Sequence, residues 1–280
     1  PSMTGFIPQM VPREKLQAAN ALLGTARNGS LTLGAAGAGI LVATVGVGVT
    51  IAIDGISFCI SALLILSLKP KQQVTPEAAS FFTDLKLGWV EFISHKWLWT
   101  IVLQFSLIIA ALDAVFGLLG PAVARSHLGG PIAWGIISGG YGLGTLAGGL
   151  TAIRLRIERP MLVGSILVLF FTAIPLTLSV PMSVPVITLS AIVGGFTAQI
   201  FGVVWYTTLQ THIPPHLLSR VSAYDHLGSI GIAPLGIIVG GYLYEVIGFQ
   251  DTLHLAAVCV VLPTLAVLCV KEVRELRTIN

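Results

Sequence analysis

Residues 51–66 read IAIDGISFCISALLIL, an almost unbroken apolar run whose fourth residue is the carboxylic acid Asp54. With its flanks the run covers 46–68, the length an α-helix needs to cross a bilayer at ~1.5 Å per residue. A charge inside such a run is expensive in hydrocarbon, so Asp54 needs a partner or a task. Similar blocks, separated by short polar or Pro/Gly punctuation, fill the 280 residues, of which 55% are hydrophobic and 10% charged, against ~25% charged in an ordinary soluble domain. Mean hydropathy is +0.91. The composition implies an all-α membrane protein dissolved in lipid; the strict alternation of a membrane barrel is not found.

The periodicity places helices at 14–43, 46–68, 97–119, 131–153, 160–180, 184–208, 217–243 and 250–270. Eight spans put both ends on one side. Of the 15 Lys and Arg residues, 13 fall at one set of helix ends (Arg13, Lys15, Lys69, Lys71, Lys86, Lys96, Arg154, Arg156, Arg159, Arg220, Lys271, Arg274 and Arg277). Arg125 stands alone at the other set, and Arg27 lies inside a helix. Short cytoplasmic loops carry such an excess, which puts both termini and the 69–96 loop in the cytoplasm of a multi-pass membrane protein. Within that loop FFTDLKLGWVEFISHKW spaces Phe81, Leu85, Trp89, Phe92 and Ile93 as one helical face, opposite Asp84, Lys86, Glu91 and His95. That pattern predicts a helix along the membrane surface. A net charge of +3, with its basic residues in loops, gives no footprint for nucleic acid.

At a constant offset of 202, Pro12, Ala21, Gly29, Gly34 and Gly46 align without a gap onto Pro214, Ala223, Gly231, Gly236 and Gly248. Gly and Pro coincide where backbone geometry is most demanding. Six spans separate equivalent helices, which is the repeat of transporters built from two parallel halves. On this reading 1–68 holds the last two helices of an N-terminal half. Residues 69–96 form a central loop with an interfacial helix, and 97–280 hold the complete C-terminal half and a cytoplasmic tail. The expected fold has eight of twelve helices here, the missing N-terminal helices starting about 105 residues before Pro1.

VPREKLQAANAL at 11–22, IDGISFCISALLIL at 53–66, DLKLGWVEFI at 84–93 and IPPHLLSRVSAYDHLGSIGIAPLG at 213–236 resemble the major facilitator superfamily, and within it exporters similar to macrolide-efflux proteins and the enterobactin exporter. The resemblance implies proton-coupled efflux of a drug-like or siderophore-like organic molecule by alternating access. Two positions depart from family antiporters: Ala35 stands where a proline is common, and IRLRIERP at 153–160 lacks the Asp of the corresponding loop motif.

Ionisable residues within apolar spans are functional candidates by default. Arg27 lies about 15 Å from the start of its helix, and Asp54 about 9 Å below the outer face on the next, antiparallel helix. Asp54 is therefore expected to pair with Arg27 or to cap a polar interface, with proton relay as the sharper reading. Arg27 could also meet an anionic group of a substrate. Asp113 has no partner in sequence and is open to proton exchange or to exposure in a cavity. Asp225 and Arg220 are gating candidates, near one another and near His226. Gln104, Gln199, Trp205 and Tyr206 are candidate cavity residues, since large apolar ligands are held by apolar area with few polar fixtures.

Gly135, Gly139, Gly140, Gly144 and Gly148 let a neighbouring helix approach closely. GLGTLA at 142–147 fits a dinucleotide pattern only formally, because no strand precedes it. His212 and His216 lack the Cys or acidic partner a metal site needs, and Cys59, Cys259 and Cys269 read as buried apolar residues. No cofactor, ATP-binding pattern or paired nucleophile and base appears, so an enzyme is not expected. The alternative to an exporter is a non-transporting membrane receptor or scaffold on the same fold.

Overall fold

The structure, a computed structural model, describes residues 2–67 and 81–278, and among them only helices and turns occur. A short helix α1 (Ser2–Met10) leads through the 3-10 turn Arg13–Lys15 into α2 (Leu16–Val45) and α3 (Val47–Ser67). Then follow α4 (Phe81–Ser94), α5 (Lys96–Ala114), a π turn Val115–Leu119, α6 (Gly120–His127) and α7 (Pro131–Ala152). The chain continues as α8 (Pro160–Val168), the 3-10 turn Leu169–Thr172, α9 (Ala173–Ser179), α10 (Val184–His212), α11 (Pro215–Ile230), α12 (Ala233–Leu268) and α13 (Lys271–Glu275).

Among the described residues five helical stretches are long and apolar enough to cross a membrane: Val47–Ser67, Lys96–His127, Pro160–Ser179, Val184–His212 and Pro215–Leu268. The last contains the segment expected at 217–243 and all but the final two residues of that expected at 250–270. Helices α2, with 30 residues, and α7, with 22, have spanning length at ~1.5 Å per residue.

The irregular turns have a common cause. Pro121 follows the π turn, Pro175 follows the second 3-10 turn, and Pro234 follows the break at Gly231 and Ile232. Proline lacks the N–H for the ladder, and its ring displaces the preceding turn. This break divides the helix expected over 217–243.

The backbone repeats at the offset of 202. Gly46 sits at φ 84, ψ 165 between α2 and α3, and Gly248 at φ 82, ψ 171 within α12. Both turn the chain back at a conformation that suits only glycine. Pro12 (φ −57, ψ 149) and Pro214 (φ −55, ψ 134) open their helices alike. The same offset maps α1 onto the last turns of α10, and α1 packs on α11 as α10 packs on α2.

Helices α7 and α10 cross closely. A Cβ on Gly144 would collide with the Ile192 carbonyl, one on Gly148 with that of Phe196, and one on Gly195 with that of Tyr141. In lipid such close approach replaces the hydrophobic drive as the source of helix association. Gly135 and Gly139 are different, with no atom within 4 Å of a Cβ. Gly144→Ala is therefore expected to cost about 1–3 kcal/mol by overpacking and to lower the unfolding midpoint in detergent. Gly139→Ala should leave the midpoint unchanged or slightly higher, because Ala favours helix. Equal midpoints for the two variants would contradict this packing.

At the end of the bundle that carries the basic residues, called here the basic end, the C-terminal segment ties α5, α10 and the turn before α8 together. Glu272 Oε2 accepts from the free N–H of Trp97 at the start of α5 (3.2 Å), a helix-capping bond. The Arg277 carbonyl meets His212 Nε2 (3.1 Å), and Thr278 N–H donates to the Glu158 carbonyl (3.0 Å). The amphipathic helix expected in the loop is α4, and it docks on α11 rather than standing alone. Tyr224 Oη donates to the Leu85 carbonyl (3.0 Å), and the Trp89, Phe92 and Tyr224 rings cluster at 5.3–5.9 Å. Leu87, Val90 and Ile93 of α4 stay exposed. Residues 68–80, which include Lys69 and Lys71, lie outside the described residues.

Candidate functional site

Two chambers meet at the centre of the bundle. The first, of about 400 Å³, is walled chiefly by α5, α10 and α11. Its wall carries an aromatic column: Phe105 stacks on Phe201 (4.4 Å between centroids, 17° between planes), and Phe201 on Trp205 (6.1 Å, 15°). The column follows from spacing, since Phe201 and Trp205 are one turn apart on α10 and point the same way. Trp97 meets the edge of Trp205 at 5.8 Å.

Asp113 and Asp225 are the carboxylates of this chamber, and its lining contains no Lys or Arg. Asp225 is 5% exposed. Its Oδ2 accepts from Trp205 Nε1 (3.2 Å) and its Oδ1 from Ser229 Oγ (3.2 Å). Both donors are neutral. No described Lys, Arg or His forms an ion pair with Asp225, so the desolvation of its charge is only partly offset.

The second chamber, of about 580 Å³, lies between α2 and α10. Arg27 is its one cationic Lys or Arg side chain, and its lining contains no Asp or Glu. Amides dominate it. Asn20 and Gln210 form a reciprocal pair, with Asn20 Nδ2 donating to Gln210 Oε1 (2.7 Å) and Gln210 Nε2 to Asn20 Oδ1 (3.3 Å). Asn20 also donates to Thr207 Oγ1 (3.0 Å), and Asn28 Nδ2 to Gln199 Oε1 (2.6 Å). Gly202, Tyr206 and His226 line both chambers.

Among the described residues, the contacts that α2 makes with α7 lie toward the basic end. Gln17 donates to the Ala152 carbonyl at the end of α7 (2.7 Å), a Cβ on Gly149 would collide with Thr25 Oγ1, and one on Gly29 would lie 3.5 Å from Leu146. Farther along nothing approaches Gly34 or Gly37 on α2, or Gly135 and Gly139 on α7. Leu143, Ile136 and Ile132 on the same stretch of α7 are 53–79% exposed. The two helices therefore splay from the basic end to the far end.

Several sequence expectations are corrected by this geometry. Arg27 does not pair with Asp54: among the described residues no ion pair joins them. Arg27 faces the amide chamber, while Asp54 stands on α3, which has no buried residue among those described. Depth along antiparallel helices was compatible with pairing, but rotational phase was not. Arg220 does not pair with Asp225. Its Nη2 lies 2.7 Å from Asp84 Oδ1 on α4, and Asp225, five residues on, turns to the interior. Gln104 is absent from the chamber linings, and its Nε2 donates to Thr264 Oγ1 on α12 (2.8 Å). Cys59 and Cys269 are exposed and Cys259 is half-buried, rather than all being core.

Gln199 and Tyr206 line the amide chamber, and Trp205 and Tyr206 the aromatic one. Asn20, Asn28, Gln210 and the ring of Phe105 went unrecognised in the sequence. Asn20, Gly24, Arg27, Asn28 and Leu31 follow an i, i+4, i+7, i+8, i+11 pattern, the signature of one helix face, and that pattern could have revealed the wall. Among the described residues no group of three or more His, Cys, Asp or Glu could hold a metal ion, and both ring nitrogens of His212 are engaged by neighbours.

No curated protein sequence matches the chain. The family model described as transmembrane secretion effector matches residues 1–279, nearly the whole chain, including every helix that walls the two chambers. With its apolar helices and central cavity, the chain belongs to this transmembrane secretion effector family of the major facilitator superfamily, and is an integral membrane transporter.

Proposed function

We propose that the protein is a proton-coupled exporter of a drug-like or siderophore-like organic molecule, working by alternating access in the inner membrane with its basic end in the cytoplasm. The observation that carries this reading is the splay of α2 and α7, which touch at the basic end and part toward the far end beside two central chambers. On this reading the geometry is a state closed to the cytoplasm and open outward. The Asn20–Gln210 and Asn28–Gln199 pairs then serve as the cytoplasmic closure. The repeat supports eight spans here, in two halves, with four further helices of the same protein covering the exposed α3.

Asp113 and Asp225 are the candidates for proton exchange, because both stand in a chamber without Lys or Arg. Arg27 is the candidate for charge recognition in the adjoining chamber. Asp54 keeps a role only if the further helices enclose it. The Arg220–Asp84 pair is partly exposed, so its worth is the ~1 kcal/mol or less of a surface ion pair, and it positions α4 on α11.

Efflux from cells expressing the whole protein should collapse with a protonophore and persist when ATP is depleted while the gradient is held. Dependence on ATP itself would sink the proposal. Unchanged flux after neutralising Asp113, Asp225 and Arg27 in a folded protein would favour the receptor or scaffold reading.

A further inference from the structure

Charge is segregated between the two chambers. The carboxylates Asp113 and Asp225 stand with the aromatic column in one, and Arg27 with the amides in the other. Neither set neutralises the other, since no ion pair within 4.0 Å joins them among the described residues. Two opposite charges kept apart in adjoining chambers that share Gly202, Tyr206 and His226 form a template for a ligand that carries both.

One residue of the shared wall leaves free space beside it. Gly202, on α10, lines both chambers, and a Cβ built on it meets no atom within 4 Å. Here the glycine serves neither a positive φ nor a helix crossing, unlike Gly46 or Gly144. It leaves open space on the wall that the two chambers share. Tyr206, one turn on and lining both spaces, offers a hydroxyl on the same wall.

We propose that the two chambers act as one bipartite site for a zwitterionic amphiphile. The apolar body and basic nitrogen of the ligand lie along Phe105, Phe201 and Trp205 beside the carboxylates, and its acidic group reaches past Gly202 to Arg27. Stacked aromatic faces suit a delocalised or alkylated cation, and a guanidinium with amide neighbours suits a carboxylate. This inference rests on the transporter reading above and narrows its substrate class.

The test uses the full-length protein in lipid nanodiscs with two fluorescent probes: rhodamine B, which carries a delocalised cation and a carboxylate, and its ethyl ester, which keeps the cation alone. Rhodamine B is expected to bind at least ~10-fold tighter than the ester, the scale of one hydrogen bond to a charged group. Arg27→Gln should bring rhodamine B down to the affinity of the ester and leave the ester unchanged. Asp225→Asn should weaken both probes. Gly202→Leu, which fills open space and improves helix propensity, should also erase the preference for rhodamine B.

Ester binding as tight as rhodamine B in the unaltered protein overturns the bipartite site and leaves the transporter reading standing. Retention of the full preference in Gly202→Leu also overturns it. Absence of saturable binding of either probe, together with efflux that survives the protonophore and depends on ATP itself, overturns both.

Discussion

Asp225→Asn is expected to abolish gradient-driven efflux, lowering the initial rate at least ~100-fold, while the protein keeps its yield and unfolding midpoint. The substitution keeps the shape of the side chain. A carboxamide oxygen still accepts from Trp205 or Ser229, both of which now meet Asp225 at 3.2 Å, so packing between α10 and α11 is preserved. What is lost is the charge and the exchangeable proton. Asp225 is 5% exposed and bonded only to neutral donors, so its ionised form is compensated by neither water nor a cation. Such a group gains most from a proton or a cationic ligand. Flux into proteoliposomes under an imposed pH gradient reads the result directly. A rate within about threefold of the unaltered protein would remove Asp225 from the coupling chemistry. Asp54→Asn is the comparison, and its effect should be the smaller because Asp54 is exposed on α3 and lines neither chamber.

The contrast between these two acids shows what the sequence could reveal. Hydropathy and length suffice to recognise an all-α membrane protein, because a bilayer imposes one dimension on every span. Glycine and proline at the 202 offset anticipated the matching backbone at Gly46 and Gly248, since a positive φ narrows the choice of residue to one. The glycines of α7 divided: Gly140, Gly144 and Gly148 meet α10, while Gly135 and Gly139 meet nothing. Spacing of four fixes a face, and only the three-dimensional crossing decides how much of that face is used.

Pairings between helices were the harder problem. Depth in the membrane can be estimated from residue count, which is why Arg27 and Asp54 were matched, yet two side chains at compatible depth can point to different sides of the bundle. Asp225 was read as a gating residue for a related reason. Its neighbours in sequence, Arg220 and His226, suggested a gate or loop salt bridge, but Arg220 at the basic end pairs with Asp84, while Asp225, five residues on, lines the chamber. The polar wall of α2 escaped notice because single amides carry little signal alone. Asn20, Arg27 and Asn28 become informative only when their common face is recognised and Gln199 and Gln210 are seen opposite.

Cross-linking position 20 to position 210 should arrest transport completely, and release of the cross-link should restore it. Asn20 and Gln210 exchange two hydrogen bonds between α2 and α10, at 2.7 and 3.3 Å, in the region where the two helices touch. If this contact closes the cytoplasmic side, each cycle must break it, at a net cost of about 0.5–1.5 kcal/mol per neutral hydrogen bond. That cost is small enough for thermal opening and for modest shifts in population. A covalent bridge removes the opening altogether. Cysteines at both positions, with Cys59, Cys259 and Cys269 replaced by Ala, can be joined by a reducible bifunctional thiol reagent; its spacer tolerates the distance better than a direct disulfide, whose geometry is strict. The uncross-linked double cysteine variant should transport, because it loses only weak bonds. Residual flux in the bridged protein would show that α2 and α10 stay together through the cycle, placing the moving interface elsewhere in the bundle. Arrest that reverses on reduction would locate it between Asn20 and Gln210, at the end of the chambers opposite to the splay.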